Sequence, residues 1–520
     1  MVTRCCRHRD DESASALVIA LALASIIAIL VATISARSVG LVLAASTAHD
    51  QLQARTIAED VLNATLRDLD ARSSAGETIP LGSWDGANGS VDLIADETSS
   101  PIEVHVDVER EVDDLIVQVD AIVGASMARA ISRVRPRSTA DVAWLVESRA
   151  RDPLLQGLPR IACTWPLGDG RRHDECRTMP LPDGPIGGPI HSNDSFAGEV
   201  RVPQLPLVSS AAVDDPEVLQ RPEVALPRTA GDVLGARPPT CRFRGPTLIR
   251  LDGTRMRVTS PLSVPRPGVA EGEVGCLGVE LSSLGGVAVI DLPETAVVEV
   301  IPDTSDDCVG HPLGLGTGED LERDWRCDAG DAFVWGRYLG ARTIVAHDSI
   351  QIVWDVEPGD ATRSDVGSPG DVLGLVAVDS VVLRRPFRID PATDRPAPFD
   401  FAGPEIPPFG SYPLDSPSPV AVGWDSPRIV GAVAALRGSF APQNVGHGAA
   451  PTGTIEVRGS IAGRFAPASS WELLDRRLRP IGERRFPITL TYDERLLDHA
   501  PPSMPHIDHG RLRIVALEVG

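Results

Sequence analysis

Residues Ser15–Ser35 read SALVIALALASIIAILVATIS, a run without a single charge. About 20 apolar residues, at 1.5 Å of helical rise each, cross the hydrocarbon core of a bilayer. Arg4, Arg7 and Arg9 precede the run, the first charge after it is Arg37, and the next is Asp50. Cationic residues stay on the cytoplasmic side, so this charge pattern predicts a single-pass membrane protein, N-terminus inside and body outside. A cleaved signal peptide would carry a shorter apolar region of roughly 7–15 residues ending at a small-residue site. Here the apolar character instead continues through SVGLVLAASTA (38–48).

Farther along the run turns amphipathic. Leu52, Ala58, Leu62, Thr65 and Leu69 recur at helical steps, with Arg, Asp and Glu between them. One helix is therefore expected from about residue 15 to 72, ended by Ser73-Ser74-Ala75-Gly76. The domain plan that follows is a leader (1–14), a transmembrane helix (15–46), an amphipathic continuation (47–74), a small antiparallel β head (75–137) and a large ectodomain (138–520). The head is read from period-two runs: Val91, Leu93 and Ala95; Ile102, Val104, Val106 and Val108; Leu115, Val117, Val119 and Ile122; then Ala128, Ala130, Ile131 and Val134. Gly89, Ser99-Ser100-Pro101 and Asp113-Asp114 punctuate them.

The chain has 520 residues, 42% of them apolar, a mean hydropathy near zero and a net charge of -23. All 49 basic residues are arginine. A strong net negative charge excludes nucleic acid as the main partner, because phosphate binding works through clustered cations. Besides Cys5 and Cys6 there are six cysteines, Cys163, Cys176, Cys241, Cys276, Cys308 and Cys327, all on one side of the apolar run. An even number there fits disulfides in an oxidising, extracellular compartment. Pairing neighbours is simplest (163–176, 241–276, 308–327), although six cysteines allow 15 connectivities. No CxxC spacing supports a zinc site.

Beyond residue 140, Gly and Pro interrupt short β-branched runs. The Pro-rich stretches 200–240 and 385–420 read as loops or linkers. A phrase recurs in which a strand meets a turn residue, Ser and an apolar strand start: Ser192–Phe196, Ala346–Ile350, Ala377–Val381, Leu436–Phe440 and Val457–Ile461. Asp or Gly suits the bend. Repeats of this kind predict stacked coils of a parallel β-helix or solenoid, with a β-sandwich as the alternative. The fold expected is thus mainly β, with a long N-terminal helix, a small antiparallel head and a solenoid ectodomain.

Asp11-Glu12-Ser13-Ala14-Ser15-Ala16-Leu17-Val18 resembles the leader junction of prepilins with a PilX-type N-terminus. The resemblance implies cleavage between Ala14 and Ser15. It departs from the pattern at Ala14, where the family has Gly, and at Ile19, where major pilins carry Glu. A minor pilin-like or pseudopilin-like subunit is the role implied, joining other pilin-like subunits through the helix. The ectodomain phrases Gly187–Asp194, Val372–Ala377, Gly453–Ala462 and Tyr492–Leu496 also resemble large PilX-type surface proteins of GC-rich Gram-positive bacteria. That resemblance implies location and architecture more than activity.

Chemistry is sparse. Asp303, Asp306 and Asp307 beside Cys308, with Asp328 and Asp331 beside Cys327, form a candidate Ca²⁺ group. Ca²⁺ takes six to eight oxygens, while the simpler reading is a solvated acidic loop. Asp194, Asp348 and Asp379, with His191 and His347, would form a column if the turns stack, as the carboxylates of glycan-cleaving β-helices do. Turn chemistry repeated because the turn repeats is the simpler reading. There is no GxSxG elbow and no P-loop lysine. The function expected is non-enzymatic, without cofactor, in filament assembly or adhesion. The alternative is a carbohydrate-binding or carbohydrate-cleaving β-helix outside any filament.

Overall fold

The structure is a computed structural model. It describes residues 10–74, 81–85, 102–111, 114–153, 181, 186–194, 196, 208–210, 219–235, 238–260, 262–263, 275–276, 288–303, 329–359, 368, 370–383, 388–390, 395–397, 426–442, 454–467, 470–474, 480–485, 487–507 and 512–519. The chain divides into two compact units: Met1–Leu69, Ile79–Val134 and Ala516–Gly520 form the first, and Asp70–Thr78 with Arg135–Val515 the second.

Helix α1 (Asp10–Ser74), which belongs to the first unit as far as Leu69, is unbroken for 65 residues. Its apolar first part is exposed, but Ala54, Ile57, Ala58, Val61, Leu62 and Leu69 are buried. These residues recur at three- and four-residue steps, so they line one helix face. Leu52, expected on this face, is 65% exposed. The unit's sheet is antiparallel through β1 (Gly82–Asp85), β2 (Ile102–Glu111), β3 (Asp114–Val123) and β4 (Ser126–Pro136). The C-terminal strand β28 (Leu512–Val519) extends it beyond β4, so the chain's last residues rejoin a sheet begun near residue 82. Alternation buries Val104, Val106 and Val108 on β2, and Leu115, Val117, Val119, Ala121 and Val123 on β3. On β4 alternation buries Ala128, Ala130, Ser132 and Val134, and Arg135 near the strand's end is buried as well. Period two thus corrects the expected run: Ser132 faces inward in place of Ile131, its hydroxyl donating to the Ala516 carbonyl at 3.2 Å.

The second unit is a large curled, mostly parallel sheet of solenoid-like coils. Its strands are β5 (Trp144–Arg151), β6 (Ile190–Ser192), β7 (Val208–Ser210), β8 (Leu219–Gln220), β9 (Cys241–Arg244), β10 (Thr247–Gly253), β11 (Arg255–Thr259), β12 (Gly275–Cys276), β13 (Ala288–Asp291), β14 (Thr295–Ile301), β15 (Ala332–Tyr338), β16 (Ala341–Ala346), β17 (Ile350–Pro358), β18 (Val372–Ala377) and β19 (Val381–Leu383). A hairpin of β20 (Arg388–Asp390) and β21 (Arg395–Ala397) follows. Then come β22 (Arg428–Ala435), β23 (Phe440–Pro442), β24 (Ile455–Ala466), a hairpin of β25 (Ser470–Leu474) and β26 (Pro480–Arg485), and β27 (Ile488–Thr491). Parallel ladders run β9–β14–β16–β18–β22–β24–β5–β6–β7–β8 on one face and β10–β15–β17–β19–β23 on the next. At one end the antiparallel strands β11 and β13 continue from β10, covering an otherwise open edge.

The core is a stack. Cys241, Val298, Ile344, Leu375, Val433, Ile461, Trp144, Ile190 and Val208 are successive partners across the first ladder, and each is at most 3% exposed. The order of coils is not the order of sequence. The chain enters mid-stack at β5, coils outward to β8, crosses to the far end at β9, and returns until β24 docks on β5.

The crossover is the Pro-rich segment 221–229. It is no free linker: it lies across the corners of four coils. The Asn193 amide brackets Val224, donating to its carbonyl and accepting from its N–H at 2.8 Å each. Glu147 accepts from the Leu226 N–H at 2.6 Å and from Arg228 at 2.7 Å. Arg228 reaches the Leu436 carbonyl at 3.1 Å, and Arg437 donates back to the Arg228 carbonyl at 2.9 Å. Thr229 then caps the short helix α2 (Ala230–Leu234). A second short helix, α3 (Arg495–Asp498), lies near the C-terminus.

Candidate functional site

Among the described residues, α1 is the one helix long and apolar enough to cross a membrane, with mean hydropathy 2.7 in its best window and none of that window buried. Its hydroxyls are compatible with lipid. Ser25, Thr33 and Thr47 each donate to the carbonyl four residues back, at 2.8, 2.5 and 2.9 Å, which satisfies a group hydrocarbon cannot. The junction Ala14–Ser15 lies within the helical backbone, and residues 1–9 lie outside the described residues.

The recurring phrase marks a real corner for four of its five copies. Ala346, Ala377, Ala435, Gly463, Val146 and Ser192 are successive ladder partners. Backbone bonds continue the stack beyond them: the Asp379 N–H donates to the Asp348 carbonyl at 2.9 Å and the Gly438 N–H to the Asp379 carbonyl at 3.0 Å. The fifth copy belongs elsewhere. Gly459 pairs with Gly431 inside the β22–β24 ladder, at the bend before this face.

No continuous carboxylate column results. Asp348 and Asp379 stack on adjacent coils, but Gly438 and Phe465 follow them. Five ladder steps separate Ala346 from Ser192, about 24 Å at ~4.8 Å per strand, so Asp194 and His191 are remote from the other members. Each has a structural task. Asp194 accepts from the Arg149 N–H at 2.7 Å and the Ser148 hydroxyl at 3.2 Å. His191 lies between Ser209 (2.9 Å) and Asn193 (3.2 Å), on the wall of a cavity of about 130 Å³ lined also by Leu145, Val208 and Arg221.

Of the Ca²⁺ candidates, Asp306, Asp307 and Asp328 lie outside the described residues. Asp303 and Asp331 are both buried. Asp331 accepts from the Ser349 N–H at 2.9 Å, a corner cap rather than a free ligand. Among the described residues no three metal-ligating side chains cluster. Cys241 and Cys276 are disulfide-bonded across the antiparallel pair β9–β12. Cys163, Cys176, Cys308 and Cys327 lie outside the described residues.

One polar cluster has no signal in local sequence. Glu299 on β14 accepts from Arg242 on the coil before it at 2.5 Å, and meets His347 on the coil after it at 2.8 Å. Burial pushes this carboxyl up, but the His347 and Arg242 hydrogen bonds outweigh burial and hold it below the ordinary carboxylate range. Only the stacking of coils brings residues 242, 299 and 347 together.

No family model matches the chain, and no curated protein does. Among solved structures, the competence-associated pilin ComZ from Thermus thermophilus aligns over 91% of this chain and 97% of its own, at 11% identity and a TM-score of 0.25. A likeness at that score carries no argument about the fold or role of this chain.

Proposed function

We propose that this chain is a non-enzymatic, membrane-anchored surface protein, a minor pilin-like or pseudopilin-like subunit that displays the solenoid-like body outside the cell. The observation that carries the reading is the continuity of α1. One unbroken helix has bare apolar residues in its first half, and in its second a buried face in the same compact unit as a small antiparallel sheet. An anchor meant only to hold a protein in lipid has no need of that continuity. A spine that leaves lipid for a bundle of like helices does. Lipid and a bundle core are about equally apolar, so packing rather than the hydrophobic effect would decide such a transfer.

The test is the N-terminus of the mature chain, read by mass spectrometry from isolated membranes. A chain beginning at Ser15 supports processing as a prepilin. A chain retaining residues 1–14 overturns the filament reading and leaves a plain anchor.

A further inference from the structure

A ladder position that is sealed and aliphatic through the middle coils turns polar near the end of the stack. Val345, Val376, Ala434 and Ala462 are successive partners at this position, and all four are fully buried. The same position then passes through Leu145 on β5, His191 on β6, Ser209 on β7 and Leu219 on β8. Over these last coils lies the cavity of about 130 Å³. Two crossing segments complete its wall. Arg137, Val142 and Ile507 come from a pair of strands tied by the Thr139 N–H donating to the Pro505 carbonyl at 2.8 Å and the Ile507 N–H to the Arg137 carbonyl at 2.9 Å. The crossover adds Arg221 and also Val224, which Asn193 brackets.

The composition of the wall selects among ligands. Most of it is aliphatic, and it holds two arginines and no carboxylate. Its inner polar groups are committed: His191 Nδ1 meets the Ser209 hydroxyl at 2.9 Å, and Nε2 meets Asn193 Oδ1 at 3.2 Å. With both ring nitrogens engaged, His191 offers neither a metal ligand nor a free base. Arg221 is exposed, and among the described residues no carboxylate pairs with it. A cation finds no counter-charge here. A sugar would bring hydroxyls to walls that cannot satisfy them, at about 1–3 kcal/mol for each one left unpaired. An inorganic anion would leave the aliphatic wall unused. A carboxylate bearing one compact apolar group uses both parts, since guanidinium forks match carboxylates. Size follows from volume: a cavity of roughly 150 Å³ takes up benzene, so the apolar group has about six carbons.

We propose that this cavity binds a small apolar monocarboxylate, with its hydrocarbon against Leu145, Val208 and Val224 and its carboxylate on Arg221 and Arg137. The inference goes beyond the pilin-like reading and does not depend on it, because every lining residue belongs to the second unit.

The experiment titrates the full chain in lipid nanodiscs with benzoate and with isocaproate by isothermal calorimetry, with empty nanodiscs as the blank. Benzyl alcohol tests the need for a carboxylate, and inorganic phosphate tests for a bare ion site. The expected result is saturable binding of at least one acid, with benzyl alcohol and phosphate each about tenfold weaker or worse, the size of one charge-assisted contact. Arg221→Gln should weaken the acid by a similar factor with thermal stability unchanged, because the side chain is exposed, while Arg221→Lys keeps most of the affinity. The proposal is overturned if neither acid binds above the blank, if benzyl alcohol or phosphate binds as tightly as the acids, or if Arg221→Gln binds like the parent.

Discussion

Single residues set the coil geometry most visibly at Gly459. It has φ +148°, in a region L side chains rarely adopt, and a Cβ there would lie 1.9 Å from the Gly431 carbonyl oxygen. Gly459→Ala therefore combines backbone strain with an immovable backbone clash. It should cost more than about 4 kcal/mol or abolish soluble expression. Gly82→Ala makes the control, since φ is +113° but nothing lies within 4 Å of the added carbon. Strain alone should cost roughly 1–3 kcal/mol there. Denaturant midpoints decide, and equal losses at both sites would refute the clash. In sequence, Arg458-Gly459-Ser460 and Arg437-Gly438-Ser439 are indistinguishable. Gly is demanded at one by a positive φ in a tight ladder and at the other suits a stacked corner, and only pairing separates the two. The corner itself was legible, because Asp, Ser and Gly announce a bend whatever surrounds it.

Glu299 adds a pH prediction. Its folded-state pKa lies below the unfolded value, so the folded state favours the charged carboxylate. That contribution is present above the ordinary carboxylate range and is lost as pH falls through the depressed folded value. The stability gap between the parent and Glu299→Gln should accordingly be wide at pH 7 and narrow at pH 3. A gap independent of pH would show that the carboxylate charge contributes nothing. The cluster was invisible in sequence because its three members lie 57 and 48 positions apart.

Among the elements, α1 has two faces of the problem. Leu62 is 1% exposed, whereas Leu23 is 54% exposed. Leu62→Ala should destabilise the first unit by about 2–4 kcal/mol through lost burial and the cavity left behind, measured by thermal unfolding. Leu23→Arg should leave the folded body intact yet fail to anchor, because a cation in mid-bilayer costs several kcal/mol. Membrane fractionation reads this out, and normal anchoring of the variant would remove the basis for membrane insertion. The helix could be read from sequence because hydropathy and period reinforce one another over 60 residues. The strands of the head were legible for the same reason, with misreadings where composition and parity conflict. Ile131 looks like core, yet strict alternation from Ala128 gives the inward place to Ser132. The fifth strand was not legible, since nothing in residues 512–519 says that they pair with a strand nearly 400 residues earlier.

At the scale of the whole molecule, the coil order sets how the solenoid opens. Solenoid stability is close to a sum over neighbouring coils, so a stack frays from its ends. In a stack coiled in sequence order, the first and last coils would be those ends. Here β5 and β24, more than 300 residues apart, pair in the interior: Ile461 stacks between Val433 and Trp144, and all three are fully buried. The ends are instead β8, which is two residues long, and β9, which is held by the Cys241–Cys276 disulfide and sits beside the β11–β13 cover. Native-state hydrogen exchange should therefore find its slowest amides in β5, β24 and β22, and progressively faster ones through β6 and β7 to β8. Within the crossover segment 221–229, the start beside β8 should exchange fast, and residues 226–228 slowly, because these are anchored on Glu147 of β5 and on Leu436 and Arg437 beside β22. Reducing the disulfide should speed exchange in β9 and leave β5 unchanged. If β5 and β24 instead opened early and independently, the two halves of the chain would be separate stacks, and their pairing would not be what joins them.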